Sequence, residues 1–516
     1  MYARKHAIDH PDRAAIIMAT SGETVTYGDY EARCNQVAHF LRAAGLRRGD
    51  HISVFMENNP RLLEIAGGAE RTGLYFTLIN RYLATDEVAY ILTNSRSRLL
   101  FTSTAMRSVA EAAAAKCPEL GRRLIAGPGA PPAGWESFEA SVAGCPTEPV
   151  PDESLGAAML YSSGTTGQPK GILRELPEVA PSESLAVMQF VSALFGFREG
   201  MTYLNPAPLY HSAPAASVSA ALRLGATTVV MEHFDPEQWL ALVDRYRVTH
   251  CQMVPVMFSR LLHLPEEVRA RYDTSSLECI VHAAAPCPVH VKRAMIDWLG
   301  PIITEYYAAT EANGFTFCDS AVWLAHPGTV GKALLGDLLI LDENGNECPA
   351  GVDGTIWFRG ATAFRYFDDP VKTAESRTAD GTASTVGDVG HVDADGYLYL
   401  TDRKTFMIIS GGVNIYPQET ENLLSAHPAV LDVAVIGVPN EDLGEEVKAV
   451  VQLVDPARAG PDLAQELISF CRDRQAHFKC PKTVDFVSEL PRSETGKLYK
   501  RVLREAYWAG HQTSIV

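Results

Sequence analysis

The sequence predicts an α/β protein: a large N-terminal domain of doubly wound sheets, a small barrel-like element at its end, and a small α+β C-terminal domain. Three observations predict it. Helical and strand patterns alternate through the first four hundred or so residues, the signature of parallel sheets wrapped by helices. Past Gly331 the strands shorten and Asp/Gly turns take over, as at Asp342-Glu-Asn-Gly345 and Asp393-Ala-Asp-Gly396. After about Arg403 a compact helix and strand set fills roughly a hundred residues, an ordinary domain size. The boundary is placed at 402/403, giving domains 1–402 and 403–516 of the 516 residues, a length too great for one core.

The elements follow in order. Tyr27 to Leu46 reads as an amphipathic helix, with Thr26 and Asp29 placed to cap its start and Gly45 near its end. His51 to Glu57 reads as a strand, and the apolar run Ala157 to Tyr161 as another. Asp235-Pro236 opens a helix with Trp239, Leu240, Val243 and Tyr246 on one face. Val248 to Val254, Ile280 to Ala284 and Ile302 to Tyr307 are buried strands, the last two flanking a helix Val289 to Trp298. Leu338 to Asp342, Gly354 to Arg359 and Gly396 to Thr401 are the short strands of the barrel-like element. The C-terminal unit comprises helix Pro417 to Ala426, strands Val430 to Val438 and Glu446 to Val454, helix Asp462 to His477 and strand Thr483 to Val487. Gly127 to Gly134 reads as a surface loop.

Composition sets limits. Hydrophobic residues at 47% and charged residues at 21% are normal for a soluble globular chain. A net charge of −17 with no basic stripe excludes a non-specific nucleic-acid binder. The ten cysteines, scattered from Cys34 to Cys480 without a Cys-x-x-Cys pair, read as reduced thiols. Met1-Tyr-Ala-Arg-Lys-His lacks the apolar core of a secretory signal. The apolar stretch Leu185 to Phe197 is interrupted by Gln189 and Ser192 and is too short to span a bilayer. A cytoplasmic enzyme is expected, with at most weak peripheral membrane contact; no pattern encodes its oligomeric state.

The densest chemical signal is Tyr161-Ser-Ser-Gly-Thr-Thr-Gly-Gln-Pro-Lys-Gly171. Glycines bring backbone N–H groups close to an anion, hydroxyls add donors, and Lys170 adds charge, a combination suited to phosphate. No Gly-Lys-Ser/Thr closes the segment, so it is not a Walker loop. By itself the run reads equally as a flexible loop.

Four further segments decide between those readings: Glu305-Tyr-Tyr-Ala-Ala-Thr-Glu311, Thr385-Val-Gly-Asp388, Asp402-Arg-Lys-Thr-Phe-Met-Ile-Ile-Ser-Gly-Gly412 running on to Pro417, and Pro491-Arg-Ser-Glu-Thr-Gly-Lys497. With the Ser/Thr/Gly run, in this order, they resemble the adenylate-forming superfamily of acyl-CoA synthetases, peptide-synthetase adenylation domains and beetle luciferases. The resemblance extends over about residues 10 to 505. It implies that a carboxylate attacks the α-phosphate of ATP to give an acyl-AMP and pyrophosphate, after which a thiol displaces AMP. Like charges meet in the first step, so cations and oriented donors must neutralise the transition state.

The resemblance also implies roles. Ser162, Ser163, Gly164, Thr165, Thr166, Gly167 and Lys170 would cradle the β- and γ-phosphates. Glu311 would hold Mg²⁺ and Thr310 would bond the α-phosphate. Tyr307 would pack on adenine, with the backbone of Ala283, Ala284 and Ala285 along its edge. Asp388, assisted by Arg403, would accept the ribose hydroxyls, and Lys497 would bridge carboxylate and α-phosphate. His211, in Pro208-Leu-Tyr-His-Ser-Ala213, would gate the carboxylate or the thiol; a packed histidine is the plain alternative, and His282 reads as structural at least as well. Gly411 and Gly412 resemble the loop beside the pantetheine tunnel, and Lys479 lies in a segment typical of the synthetases. The small domain would be mobile, turning one face to adenylation and another to thioester formation.

Two positions depart from the family pattern. Ala308 stands where Gly often follows the adenine-packing tyrosine, and Thr405 stands where Asp or Lys is common at the hinge. Hinges absorb backbone change without particular chemistry, so rotation is expected to survive Thr405. No carrier-protein segment follows Val516, and the His211 region lacks the Phe-Asp pair that holds an amino group; Phe234-Asp235 is a helix start instead. The spacing from Gly331 to Asp388 leaves little room for the insertion of fatty-acyl-AMP ligases. Coenzyme A is therefore the expected acceptor. The apolar, small-residue segments around Leu209 to Val218, Val281 to Ala285 and Tyr306 to Phe315 point to a hydrophobic acid: fatty, aromatic or alicyclic. A luciferase-like oxygenase and a non-catalytic adenylate binder stay as alternatives.

Overall fold

Strand order in the central sheet brings together segments from the whole first two-thirds of the chain. A computed structural model describes residues 1–162, 169–183, 185–361, 364–403, 406–411, 413–440, 442–492 and 498–509, with the side chains of residues 403 and 414 left out. Its central sheet has nine strands, ordered Lys332–Leu335, Phe315–Cys318, Ile303–Ala308, Cys279–His282, His250–Met253, Thr202–Asn205, Thr227–Val230, Ala14–Met18 and Thr24–Thr26. The stretch from Ile303–Ala308 to Ala14–Met18 is parallel, and the outer pairs are antiparallel. A second sheet of six parallel strands contains His51–Phe55 at its centre. Near-continuous burial of His250–Met253 and Cys279–His282 explains their unbroken apolar character: parallel strands covered on both faces have no solvent side.

The helices form where their caps and stripes dictate. Thr26 accepts the Asp29 N–H and starts Tyr27–Ala43. Asp235 accepts the Gln238 N–H at 2.8 Å, Pro236 takes the first helical position, and Trp239, Leu240, Leu242 and Val243 of Pro236–Tyr246 are buried. Each such side chain contributes about 1.5–3 kcal/mol by leaving water.

The expected strand Ala157 to Tyr161 is two strands in two sheets. Ala157–Ala158 pairs with Tyr75–Leu78, whereas Leu160–Ser162 pairs antiparallel with Lys170–Leu173. Buried Met159 sits at the switch. The barrel-like region is a five-stranded antiparallel sheet containing Asp337–Leu341, Gly354–Arg359, Asp388–Val392 and Leu398–Arg403. Gly314 locks it against the central sheet, because a Cβ there would come within 2.0 Å of the Phe358 ring.

The C-terminal unit is a sheet led by the long hairpin Val430–Asn440 and Gly444–Leu453, with Thr483–Val487 parallel at its side. Helices Pro417–Leu424 and Pro461–Arg472 cover it. The second helix stops five residues short of its expected end at His477: Asp473 ends it, and His477–Lys479 forms a separate 3₁₀ turn. No helix among the described residues is long and apolar enough to cross a membrane, and all ten cysteines are free.

Candidate active site at the carboxyl ends of the central sheet

Open parallel sheets gather ligands where strands end at their carboxyl side, because loops diverge there and leave a crevice. Here the crevice is a cavity of about 560 Å³. Ala283, Ala284 and Ala285 line it from the end of Cys279–His282, and Tyr306 to Ala309 line it from the end of Ile303–Ala308. Asp388 and Asp402 close one side, and Gln418, Glu421 and Lys500 of the C-terminal unit close another. Tyr307 Oη donates to Asp388 Oδ2 at 2.8 Å, so two of the expected nucleotide residues are already paired across the cavity. Asp388 lies opposite Arg403 in the strand register. Thr385 supports the turn before it, donating to the Ile356 carbonyl and accepting the Gly387 N–H.

Backbone strain marks the same place. Ala284 has φ 76° and Ala312 φ 54°, a left-handed conformation that costs an alanine roughly 1 kcal/mol or more. One alanine adjoins Glu311, and the other presents its backbone to the cavity.

Beyond Ala309, where the cavity lining ends on this segment, lies a second cluster; Ser162 and Lys170 are register partners on neighbouring antiparallel strands. Ser163, Gly164, Thr165, Thr166 and Gly167 lie outside the described residues, as do Thr405, Gly412 and Lys497. Lys170 Nζ stands 5.1 Å from the Tyr366 ring centroid, and Tyr366 Oη donates to Glu311 Oε1 at 3.0 Å. Burial, then the nearby Lys372 charge, holds the Lys170 ammonium below its ordinary pKa. Burial and the Glu311 charge push the Tyr366 phenol up. Arg174 donates to the Thr310 carbonyl, and Thr310 Oγ1 lies 3.2 Å from Ser212 Oγ. His211 immediately precedes the helix Ser212–Leu224, its ring 4.4 Å from that of Tyr210. Cation, carboxylate and hydroxyls from four chain segments thus converge. Glu311, a buried hard-oxygen donor with one oxygen held by Tyr366, has the chemistry a Mg²⁺ ion requires.

Behind the alanine turn sits a buried ionic cluster. Lys292 Nζ is 2.5 Å from Glu305 Oε2, and His282 Nε2 is 3.4 Å from the same oxygen. Burial and the Lys292 charge hold His282 neutral, well below the usual imidazole range. His282 and Glu305 are register partners on adjacent strands, which makes the cluster a structural tie. Lys292, Tyr366 and Arg174 carry no local sequence signal and are recognised only through these contacts.

In the C-terminal unit Arg492 and Leu498 form an antiparallel bridge. Arg492 makes a two-pronged contact with Asp432, and Lys500 Nζ meets Glu421 Oε1 at 2.8 Å. Gly411, with φ 58°, and Lys479, paired with Glu419 at 2.5 Å, are not among the residues lining the cavity.

Residues 3–367 match the AMP-binding enzyme family and residues 419–497 the AMP-binding enzyme C-terminal domain. Feruloyl-CoA synthase of an Amycolatopsis species is 33% identical over 94% of this chain and 94% of its own length. The fatty acid–[acyl-carrier-protein] ligase ScoC of Streptomyces coeruleorubidus is 30% identical over 98% of this chain and 95% of its own. The anthranilate CoA ligase AuaEII, solved with anthranoyl-AMP, superposes with a TM-score of 0.86 at 25% identity, covering 99% of this chain and 97% of that one. The chain belongs to the AMP-binding enzymes, the adenylate-forming superfamily, in its acyl-CoA synthetase branch.

Proposed function

We propose that the protein is an ATP- and Mg²⁺-dependent acid–CoA ligase that activates a hydrophobic carboxylic acid as its acyl-AMP. The observation that carries this reading is the Tyr307–Asp388 pair lining one crevice with Ala283–Ala285, beside a cluster in which Lys170 and Glu311 meet at Tyr366. Relatives that act on fatty and aromatic acids support the same chemistry.

In the first step a carboxylate oxygen bonds to the α-phosphorus as the bond to the bridging oxygen breaks, and pyrophosphate leaves. In the second, the sulfur of coenzyme A bonds to the acyl carbon, the thiol proton is lost and AMP departs. Tyr307 and the Ala283–Ala285 backbone hold adenine, and Asp388 with Arg403 holds the ribose. Ser162, Ser163, Gly164, Thr165, Thr166, Gly167 and Lys170 hold the β- and γ-phosphates; Thr310 donates to the α-phosphate. Glu311 would hold Mg²⁺, which would supply charge neutralisation to the leaving pyrophosphate. Lys497 bridges acid and α-phosphate, and His211 stands at the acyl entrance.

Domains 1–402 and 403–516 turn relative to one another about Thr405 between the steps, bringing Gly411, Gly412 and Lys479 to coenzyme A. A Thr405→Pro variant then keeps pyrophosphate release and loses thioester formation; retention of both steps removes the hinge from this position. The test of the whole reading is pyrophosphate release with a panel of carboxylic acids, with and without coenzyme A. Acid-dependent release followed by CoA-dependent AMP formation is expected. Release that requires O₂ instead of CoA would identify an oxygenase, and ATP binding without release for any acid would identify a non-catalytic binder.

A further inference from the structure

A small three-stranded sheet stands apart from the two large ones, with Lys170–Leu173 between Leu160–Ser162 and Arg365–Tyr366. Ile172 is the register partner of Tyr366, and the Phe367 N–H donates to the Gly171 carbonyl at 2.7 Å. Two side chains from this sheet reach one turn at the end of the central sheet. Arg174, the residue after Leu173, donates from its guanidinium to the Thr310 carbonyl, and Tyr366 Oη donates to Glu311 Oε1 at 3.0 Å. The partners are 136 and 55 positions apart in the chain, so only the fold joins them.

The turn itself is tight. The Ala312 N–H donates to the Ala309 carbonyl at 2.9 Å, and Ala312 carries the left-handed φ of 54°. The Thr310 carbonyl and the Glu311 N–H belong to one planar peptide, so a donor on that carbonyl also sets the direction of the Glu311 backbone. Glu311 is thereby held at both ends, its peptide by Arg174 and its carboxylate by Tyr366. Arg174 is anchored in turn: Tyr75 Oη, from the six-stranded sheet, donates to its carbonyl at 2.6 Å. Its guanidinium bonds a neutral carbonyl, and its Nε is buried without a partner among the described residues. A charged donor on a carbonyl is stronger than a neutral one. Tyr366 also carries Lys170 Nζ 5.1 Å from its ring centroid, so one side chain touches both the cation of the hairpin and the carboxylate of the turn.

Resting on the ligase reading above, we infer that Arg174 and Tyr366 are positioning residues that fix the Lys170 hairpin in register with the Thr310–Glu311 turn. The groups proposed for the β- and γ-phosphates and those proposed for the α-phosphate and Mg²⁺ then close on one triphosphate at a set spacing. Neither residue needs to touch a reacting atom. Their effect comes through Glu311, Thr310 and Lys170, where a displacement of about 1 Å is enough to cost roughly 100-fold in rate.

The test measures two quantities for the full-length enzyme. One is kcat for pyrophosphate release with Mg²⁺, ATP and the best acid of the panel. The other is the Mn²⁺ affinity of the enzyme with ATP, read from the free-Mn²⁺ paramagnetic resonance signal against an ATP-only blank. Tyr366→Phe, which deletes one hydroxyl and keeps the ring beside Lys170, should weaken Mn²⁺ binding about tenfold or more and lower kcat by about 10- to 100-fold. Arg174→Met should do the same within that range. Arg174→Lys keeps a charged donor without the planar fork and should fall between Arg174→Met and the parent. The KM for the acid should stay within about twofold throughout. Because both residues act on one turn, joining Tyr366→Phe to either Arg174 variant should lose less than the product of the single losses. Should Arg174→Met fail to fold, Tyr366→Phe and Arg174→Lys decide by the same criteria. Mn²⁺ affinity equal to the parent's in the folded variants would overturn the inference and leave the ligase reading standing. So would losses that simply multiply in the double variant, or a parent that binds no Mn²⁺ with ATP yet releases pyrophosphate. No release with any acid, from protein that binds ATP, would instead overturn the ligase reading, and this inference with it.

Discussion

Tyr306 and Tyr307 are neighbours in sequence, yet one packs with an aromatic cluster and the other bonds Asp388 across the cavity. Tyr307 donates to a carboxylate 81 positions away; Tyr306 accepts from an amide 54 positions away on the opposite side of the sheet. Pleating sends successive side chains to opposite faces, so one strand end can present two different surfaces.

The largest effect that bears on this division is expected at the place where the two faces join. Lys497→Ala should abolish the first half-reaction, with a loss of about 3 kcal/mol or more in transition-state stabilisation. Turnover of supplied acyl-AMP with coenzyme A should persist. Equal loss of both half-reactions, read by pyrophosphate and thioester assays, would remove Lys497 from the junction.

A change to the shared strand should injure both faces alike. Lys292→Met leaves Glu305 buried without its cation, and breaking such a pair costs about 3–5 kcal/mol of folding stability. Chemical denaturation would measure it. A stability equal to that of the parent would show that the cluster does not tie the strands together.

A change confined to the nucleotide face is smaller. Asp388→Ala should raise the KM for ATP roughly tenfold, the value of one hydrogen bond to a charged group, without reordering the acids. Steady-state kinetics over the same acid panel would check it; a reordered panel would mean that the faces are not separate.

The smallest effect belongs to the Tyr306 side of the sheet and appears as pH dependence. His250 lies two residues before Gln252 on the same strand, with its ring 5.5 Å from that of Phe197. Burial lowers it from 6.5 to about 4, with Glu278 opposing and Arg198 reinforcing the shift. Between those values the unfolded chain binds the proton and the folded chain does not, so stability falls as pH drops from 6.5 to 4. Thermal melts of His250→Gln across this window should show a slope shallower by roughly 1–3 kcal/mol in total. An identical slope would place the titration elsewhere.

Several segments that the sequence singles out meet in the fold: Tyr307 bonds Asp388, and Glu311, six residues after Glu305 in the same segment, is bonded by Tyr366. The alternation of elements likewise gives the parallel sheets, and Thr26 and Asp235 cap helices as their patterns dictate. The strand Asp388–Val392 is hidden because Gly387-Asp-Val-Gly390 has the composition of a turn. The run Ala157 to Tyr161 hides a change of sheet, since composition cannot say which neighbour a short strand will choose. The Tyr306 cluster is silent for a related reason. Gln252 and Ser217 are ordinary polar residues in a strand and a helix, and only the fold brings them to Tyr306. Lys292 carries no signal of its own in the sequence and gains its meaning only from Glu305 beside it.

Paired kinetics of Tyr307→Ala and Tyr306→Ala, with KM determined for both ATP and the acid in each, test the division between faces most directly. Tyr307→Ala should raise the KM for ATP by about tenfold and leave the ranking of acids intact. Tyr306→Ala should leave the KM for ATP within about twofold. Both variants shifting the KM for ATP by the same factor would contradict the account.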